Sequence, residues 1–445
     1  MYKETEIGLI PEDWKVKTLK NLLKGKGYIR GPFGSALRRN ELQSEGIPVY
    51  EQQHAIYNHR NFRYFIDDAK FKELSRFTVK DRDLIISCSG NVGKISLIKK
   101  EDPKGIISQA LLILRPNYDN ILPEYLRYFF TSKKGQESLI SRSGGSVQVN
   151  LAKKQIIQEI NIPTPPIKEQ KQIIEILSAL DDKIESNHQI NQNLEEIWKA
   201  TFRHWFVHFE FPDDNAQPYK SSGGEMVDSE LGEIPKGWEV RKLKDCVEII
   251  IDHRGKTPTK LGSDWSSSGI RALSAKNVKN GKIVNEESIK FVNEELYSKW
   301  MKEEIEREDI LLTSEAPLGE FVSWDYDEKI VLSQRLFGIR ANKQVICPKY
   351  LYCFMNSGLF NYELKSRATG STVQGIRQAE LMKTNILVPS LKITRQFQNL
   401  IIPLFNKITI NEEESKNLTK IRDSLLPKLM SGKIRVNIPE EATAK

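Results

Sequence analysis

A repeated heptad pattern constrains this 445-residue chain more than any other feature of its sequence. From Ile173 to Trp198, apolar residues recur at alternating steps of four and three, the spacing by which one helix packs along another. The pattern returns from Phe397, which follows Ile173 by 224 residues, and every later position keeps that offset. The predicted seam comprises Ile173, Leu177, Leu180, Ile184, Asn187, Asn191, Leu194 and Trp198 in the first stretch and Phe397, Ile401, Leu404, Ile408, Asn411, Ser415 and Leu418 in the second.

The polar positions within this seam repeat as well. Asn187 and Asn191 correspond to Asn411 and Ser415 in the second stretch. A polar pair inside an apolar seam fixes the register of two packed helices at some cost in stability. We therefore predict that the two helices pair as an antiparallel coiled coil, with the copies related by a pseudo-two-fold axis. Two unrelated amphipathic helices would not explain the shared phase, offset and polar positions.

The duplication extends beyond the helices. The sequence pattern of residues 7–23 recurs at residues 231–247. Each copy has a tryptophan three residues after a proline, Trp14 and Trp238, and we predict that each indole packs under its domain. Each copy also has a proline-led helix, starting in the first copy at Pro123, and a glycine-rich polar loop. The loops are 143–148 and 369–374, and the predicted strand regions of the first copy are 47–50, 84–88, 95–98 and 106–114.

These patterns predict an α/β (α+β) fold made of two similar domains, each followed by a long helix. Turn formers, charges and Ser-Gly runs between the copies indicate a linker. The predicted boundaries are 1–163 for the first domain, 164–206 for its helix, 207–230 for the linker, 231–389 for the second domain, 390–432 for its helix and 433–445 for a C-terminal tail.

Composition narrows the class of partner and the compartment. A formal charge of +8 and a pI near 9.0 favour an anionic partner. Cys88, Cys246, Cys347 and Cys353 form no CxxC pair, which predicts free thiols in a reducing cytoplasm and no structural metal. Residues 1–11 lack an apolar export segment and no stretch approaches membrane-spanning length, so we expect a cytoplasmic protein without membrane contact.

Catalytic motifs are weak throughout the sequence. Residues 90–94 (GNVGK) lack the spacer of a phosphate-binding loop, and the zinc-protease glutamate is replaced by Trp205 in the stretch 204–208 (HWFVH). The D-x-K fragment at 181–183 lies on the heptad helix, where solvated flanking positions explain it. We find neither a dinucleotide fingerprint nor an amino-methyltransferase motif. The sequence therefore predicts a chain that is not catalytic by itself and holds no cofactor or metal.

The loops, by contrast, carry side chains suited to nucleic acid. Arg and Lys contact phosphates and guanine edges, while Asn and Gln can pair with adenine, so a mixture of these types suits sequence reading. Solvated surface side chains are the alternative for any single member. The candidate DNA-binding residues are Arg30, Arg38, Arg39, Gln52, Gln53, Lys94 and Gln109 in the first copy and Arg254, Lys256, Lys276, Asn277 and Arg335 in the second.

Five stretches resemble the specificity (S) subunit of type I restriction-modification enzymes. They are the G-x-I-P-x-x-W start of each copy (8–14 and 232–238), the proline-led helix start 165–177, the stretch 194–206 ending in Trp205-Phe206, and 418–432 (LTKIRDSLLPKLMSG). The resemblance covers essentially the whole chain. One departure is that Arg395 precedes Gln396 in the second helix, where the first helix has Glu169 before Gln170.

The resemblance implies a function beyond what the spacing indicates. It implies two target-recognition domains, each reading one half of a bipartite site on double-stranded DNA. It also implies that the helices set the spacer and dock two methyltransferase (M) subunits, with restriction (R) subunits completing an ATP-dependent endonuclease. S-adenosylmethionine, ATP and Mg²⁺ would then belong to the partner subunits.

Two other classes of function stay open at this point. The chain could be the specificity module of a fused methyltransferase or nuclease, which a methylation assay on the purified chain would reveal. It could instead be a helical scaffold that binds no DNA, which a salt-dependent gel shift would reveal.

Overall fold

A computed structural model describes residues 1–142, 149–370 and 373–436. The chain forms two compact units. Unit 1 comprises Met1–Ser186 and Glu414–Lys445, and unit 2 comprises Asn187–Glu413. The division falls inside the two long helices, whereas the sequence predicted a boundary at the linker. Each unit therefore combines one copy with the first half of one helix and the second half of the other.

The two long helices are Ile167–Phe206 and Leu391–Met430, close to their predicted bounds. Every predicted seam residue is buried or half-buried. In unit 2, Asn411 Nδ2 donates to Asn191 Oδ1 at 2.8 Å, and Asn191 Nδ2 donates to the Ile408 carbonyl at 3.3 Å. The repeated polar positions thus meet across the seam and tie the register of the two helices.

Charged residues flank the helix pair in unit 1. Arg422 Nη1 donates to Asp181 Oδ1 at 3.0 Å, and Lys183 Nζ lies 3.1 Å from Glu414 Oε2. In these contacts, a residue further along the first helix meets a residue earlier in the second helix. The contacts between the helices in unit 2 show the same direction. The helix segments therefore run antiparallel in each unit, as the heptad pattern predicts.

The core of unit 1 lies on both faces of one antiparallel sheet. In the strand Leu111–Pro116, Leu112 and Leu114 pack with Trp14 and the long helices, while Leu111 and Ile113 pack on the other side with a smaller sheet. Successive side chains of a strand point to opposite faces of its sheet. Because both faces of this strand are buried, residues 111–114 are all apolar. The four strands lie in the order Leu23–Arg30, Leu111–Pro116, Leu84–Ser87, Ile95–Leu97, and the smaller sheet in the order Phe65–Ile66, Ile47–Tyr50, Ile106–Ile107.

Unit 2 repeats this arrangement. Its four-stranded sheet packs on the helix Pro348–Met355, as the sheet of unit 1 packs on Pro123–Thr131. The internal duplication and the predicted α/β (α+β) fold class are confirmed. The four-stranded sheet of unit 2 has the strand order Val247–Asp252, Leu336–Ala341, Ile310–Ser314, Leu318–Ser323. The three-stranded sheet of unit 2 has the order Lys290–Val292, Ile270–Leu273, Ile330–Leu332.

Shorter elements complete each unit. The short helices of unit 1 are Leu19–Leu22, Gln52–Ile56, Asp68–Glu73, Lys133–Leu139 and Lys154–Gln158. Its short strands form three antiparallel pairs, which are Tyr2–Lys3 with Ile10–Pro11, Lys15–Thr18 with Asn161–Thr164, and Ile140–Arg142 with Val149–Leu151. In unit 2 the helices are Leu243–Cys246, Glu294–Trp300, Gly358–Ser366 and Gln378–Leu381, and the paired strands are Met226–Ser229 with Gly232–Pro235, Glu239–Lys242 with Asn385–Val388, and Val278–Lys279 with Lys282–Ile283.

The predicted linker, 207–230, is folded as part of unit 2. Phe211 is buried, with its ring centroid 4.9 Å from that of Trp238, and Met226–Ser229 pairs with Gly232–Pro235. The sequence predicts a linker between the copies here because turn formers and charges dominate this stretch. The packing of its aromatic residues Phe209 and Phe211 depends on Trp238, a partner found only in the fold.

Both repeated tryptophans are buried anchors, as predicted, but their surroundings differ. Trp14 is fully buried, and its Nε1 donates to Glu169 Oε2 at 2.8 Å. Arg435 then bridges Glu169 and Asp13, at 2.8 Å to each carboxylate. In unit 2 the corresponding space around Trp238 is filled by aromatic rings.

The predicted glycine-rich loop 143–148 lies outside the described residues, as do 371–372 of its counterpart and 437–445 of the predicted tail. All four cysteines are free and buried. Over the described ranges, no helix combines the length and hydropathy that crossing a bilayer requires. Nor do three His, Cys, Asp or Glu side chains from those ranges come together in a group that could hold a metal ion.

Candidate nucleic-acid interface

Four predicted DNA-binding residues of unit 1 are exposed at turns. Arg38 and Arg39 lie at the start of the short helix Arg39–Glu41. Lys94 lies in the turn between two antiparallel strands, as expected of a basic turn, and Gln109 precedes the central strand. These positions suit contacts with an extended partner because all four side chains are exposed, and neighbouring strands hold the backbone at Lys94 and Gln109.

The other predicted residues of unit 1 are partly engaged. Gln52 Oε1 accepts from Ser89 at 3.0 Å, and Gln53 Nε2 donates to Glu51 at 3.3 Å. Arg30 is half-buried, with its guanidinium 5.7 Å from the Phe33 ring centroid. Hydrogen bonds within the protein hold Gln52 and Gln53 in fixed positions.

In unit 2, three predicted residues have partners within the protein. Arg254 donates to both carboxylate oxygens of Asp252 at 2.8 Å, and Arg335 lies 2.9 Å from Glu315. Lys256 Nζ donates to the Trp300 carbonyl at 2.6 Å. Burial, helped by the nearby Lys302, lowers the pKa of Lys256. Binding an anion here would require breaking these contacts.

Asn277 is engaged by hydrogen bonds within the protein. It is fully buried, and its Nδ2 donates to the Val284 and Asn285 carbonyls and to Ser288 Oγ. Its Oδ1 accepts from Ser274. The predicted contact of Asn277 with DNA would require these hydrogen bonds to break. The neighbouring Lys276 is exposed.

A basic groove runs along the strand Leu23–Arg30 and was not predicted from the sequence. Six further cations line it, and two of them lie in the K-G-K-G run at 24–27. Because the six are spread over four separate stretches of the sequence, they did not stand out as a cluster. They are Lys20, Lys24, Lys26, Arg76, Arg115 and Lys154.

A second missed feature lies on one flank of the long helices. In unit 1, Ile176 and Ile421 are 39% and 47% exposed, and in unit 2 Ile197 and Leu400 are 50% and 52% exposed. Leu400 follows Ile176 by 224 residues, and Ile421 follows Ile197 by the same offset. Ile176, Ile197 and Leu400 each precede a seam residue, and Ile421 occupies the same heptad position one turn after the last seam residue, Leu418. Both units thus expose an apolar pair at matched heptad positions.

The opposite flank of the helices is covered within each unit. Phe202 and Phe405 are buried in the core of unit 2, and Leu426 is buried in the core of unit 1. All three occupy the heptad position on the other side of the seam. One flank of each helix therefore serves the internal core, and the other carries the exposed apolar pairs.

Comparison with known proteins defines the class to which this fold and these surfaces belong. A sequence model of the type I restriction modification DNA specificity domain matches residues 11–196 and again residues 235–420. The two matches cover both copies and extend into both long helices. The chain therefore belongs to the family of type I restriction-modification specificity subunits.

Individual relatives support this assignment along the whole chain. The MjaIX specificity subunit of Methanocaldococcus jannaschii is 30% identical, over 98% of this chain and 96% of the relative. The HindI specificity subunit of Haemophilus influenzae is 26% identical, over 80% and 87%. The crystal structure of a type I S subunit from M. genitalium has a similar fold, with a TM-score of 0.56 at 14% identity, covering 94% of this chain and 96% of that one.

Proposed function

We propose that this chain is the subunit that gives a type I restriction-modification enzyme its DNA sequence specificity. Each recognition domain reads one half of a bipartite site on double-stranded DNA. The observation that carries this proposal is the pairing of one duplicated scaffold with different polar side chains at its loops. Two domains with the same fold but different polar side chains on their loops suit a DNA target whose two halves differ in sequence.

The long helices have two roles in this proposal. Each is 40 residues long, which corresponds to about 60 Å at 1.5 Å per residue. That length is sufficient to set the unspecified spacer between the half-sites, since one turn of DNA spans about 34–36 Å. The exposed apolar pairs would dock two methyltransferase subunits, one on each pair.

Catalysis belongs to the partners in this proposal, and the specificity subunit acts without chemistry of its own. S-adenosylmethionine would be bound by the methyltransferase subunits. Restriction subunits would bind ATP and Mg²⁺ and cleave the DNA. The weak catalytic motifs of this chain support that division.

Methylome sequencing of a host that carries this chain with its methyltransferase tests the recognition role. We expect one methylated bipartite motif. Replacing residues 1–163 with the matching domain of a relative should change one half-site only. A change in both halves would contradict independent reading, and the absence of any motif would contradict the proposed function.

The docking role is tested by stoichiometry. Ile176→Ser with Ile421→Ser, and separately Ile197→Ser with Leu400→Ser, should each reduce the complex from two methyltransferase subunits to one. Light scattering of the purified complex measures this. A matched control replaces exposed Ile410, which lies off this flank. Two bound subunits in both double variants would contradict docking on these pairs.

The spacer role is tested by shortening both helices together. Removing one heptad, Leu177–Lys183 and Ile401–Lys407, keeps the seam in phase and shortens each helix by roughly 10 Å, about three base pairs. We expect the same half-sites with a shorter spacer, or loss of binding if the domains then face different sides of the duplex. Normal methylation at the original spacing would contradict a spacer role.

A further inference from the structure

The basic groove of unit 1 is a cavity of about 630 Å³ beside the strand Leu23–Arg30. Among the described residues, its lining includes six cations and no Asp or Glu. Of the cations, Arg115 is committed to Asp83, to which it donates at 2.8 and 2.7 Å. The remaining five have no carboxylate within ion-pair distance in the part of the chain that the structure describes. The groove therefore concentrates positive charge without internal neutralisation.

The groove presents charge rather than a surface for stacking. Lys154 Nζ lies 5.4 Å from the Tyr28 ring centroid, and Lys24 Nζ lies 4.3 Å from that of Tyr118. Both rings are half-buried, and each has a lysine over one face. Single-stranded nucleic acid is held largely by stacking of bases on open aromatic faces, whereas duplex DNA offers its phosphates. This arrangement favours a duplex.

A bulge in the edge strand creates the groove. Leu23 pairs with Pro116 and Tyr28 with Leu114, so residues 24–27 bulge out opposite the single residue Arg115. A Cβ on Gly27 would lie 2.6 Å from the Arg115 carbonyl oxygen, so only glycine fits there. The bulge places Lys24 and Lys26 at the surface, where both are exposed.

Unit 2 has a different bulge at the corresponding edge. Val247 pairs with Ala341 and Ile249 with Arg340, which leaves only Glu248 unpaired. Arg340 lies 2.7 Å from Glu306 and 2.8 Å from Asp309. Both units pair the central-strand arginine with a buried aspartate, but the bulge carries Lys24 and Lys26 in unit 1 and Glu248 in unit 2, where Glu306 adds a second carboxylate.

We propose that the groove formed by the 24–27 bulge, Arg76 and Lys154 binds the phosphate backbone of duplex DNA, and that unit 1 therefore supplies more of the salt-dependent affinity than unit 2. This inference rests on the proposed DNA-binding function. It adds the place where the backbone is held and an inequality between the two half-sites. Phosphate contacts of this kind position the protein without reading bases.

The test measures affinity of the full chain for a fluorescein-labelled duplex of unrelated sequence, by anisotropy, over a series of KCl concentrations. Each lost phosphate contact lowers the slope of log affinity against log salt by about 0.9. Lys24→Gln with Lys26→Gln should therefore lower the slope by about 2. Lys24→Arg with Lys26→Arg keeps the charges and should restore the slope. An unchanged thermal melting midpoint shows that the variants fold.

Two matched controls remove the same charge elsewhere. Lys99→Gln with Lys100→Gln alters exposed lysines of unit 1 outside the groove, and Lys279→Gln with Lys365→Gln alters exposed lysines of unit 2 that are not among the candidate DNA-binding residues. Both should change the slope much less. An equal decrease in the first control would overturn the groove as a specific site, and an equal decrease in the second would overturn the inequality.

The remaining outcomes separate this inference from the proposed function. If wild type shows no salt-dependent binding to duplex DNA, the DNA-binding function itself fails. If wild type binds but Lys24→Gln with Lys26→Gln keeps the wild-type slope, the groove proposal fails and the function stands. If single-stranded RNA competes better than the duplex, and only for chains with an intact groove, the groove binds RNA and the proposal is overturned.

Discussion

The two units share one scaffold but place opposite charges at the same position. Glu124 and Lys349 are each the second residue of the proline-led helix in their unit. Glu124 is half-buried and pairs with Arg82 at 2.9 Å, whereas Lys349 is 3% exposed and pairs with Asp325, with Ser323 Oγ accepting from its Nζ at 2.7 Å. A duplicated fold can therefore reverse a charge when a complementary partner accompanies it.

The tryptophan anchors make the same point. Trp14 is held by the Glu169 carboxylate, and Arg435 completes the contact from the C-terminal segment. Trp238 lies instead against Phe206 and Phe211, at 5.8 and 4.9 Å between ring centroids. A buried carboxylate is stabilised by a hydrogen-bond donor and a cation, whereas an aromatic cluster is stabilised by the close packing of its rings. The four predictions below test these differences.

The largest expected effect follows from shared helices. A chain ending at Glu413 removes Leu426, Leu429 and Met430 from the core of unit 1. Burial of each such side chain contributes about 1.5–3 kcal/mol, and together they approach the whole stability of a domain, about 5–15 kcal/mol. We expect unit 1 to lose protection in hydrogen exchange while unit 2 keeps it.

A chain ending at Val436 is the control, since it retains these three residues. It should show the protection of the full chain. Equal loss of protection in both units of the shorter chain would show that the units do not unfold separately.

The buried ion pair gives the next largest difference. Lys349→Met leaves Asp325 without its cation in a site where it is mostly shielded from water, which costs about 3–5 kcal/mol. Glu124→Met breaks an ion pair open to solvent and should cost about 0–1 kcal/mol. Urea unfolding of the two variants measures both. Similar costs would mean that burial does not distinguish the pairs.

A smaller difference is expected at the anchors. Trp14→Phe removes one of the donors to the Glu169 carboxylate, which is 1% exposed and then keeps only its hydrogen bonds from Arg435. Loss of a hydrogen bond to a charged group costs about 1.5–3 kcal/mol. Trp238→Phe loses ring contacts but no hydrogen bond to a carboxylate. Unit 1 should therefore be destabilised more than unit 2 by the same substitution. Equal shifts in the urea midpoint would show that the hydrogen bond adds nothing.

The smallest effect is a pH dependence. Burial lowers the pKa of His54 below its ordinary value of 6.5, with His59 acting in the same direction. The unfolded chain then binds a proton that the folded chain does not. Stability of unit 1 should fall as the pH drops below about 6.5 and level off below the lowered pKa.

His54→Asn removes the titrating ring and should flatten this dependence in unit 1. The pKa of His253 is also lowered, by burial and by Lys256, so unit 2 should keep its own dependence in that variant. Hydrogen exchange at two pH values separates the units. An unchanged profile in unit 1 would rule out His54 as its source.

The sequence predicted the scaffold closely, but it did not indicate which polar side chains are engaged within the protein. The seam, both helix bounds and the two tryptophan anchors depend on spacing, which the chain displays directly. Whether a polar side chain is available depends on partners far away in the chain. Asn277 has the residue type of a base reader, yet its amide is consumed by carbonyls of residues 284 and 285.

The sequence by itself therefore determined the duplication, the antiparallel helix pair and the apolar core, because the spacing of apolar residues along the chain shows which positions are buried. Tertiary structure alone decided which charges remain free. It folded residues 207–230 onto Trp238, enclosed Lys349 with Asp325 and gathered Lys24, Arg76 and Lys154 into one groove. The physical reason is that a charge is neutralised or exposed by its neighbours in space, and the backbone path that brings those neighbours together is not local.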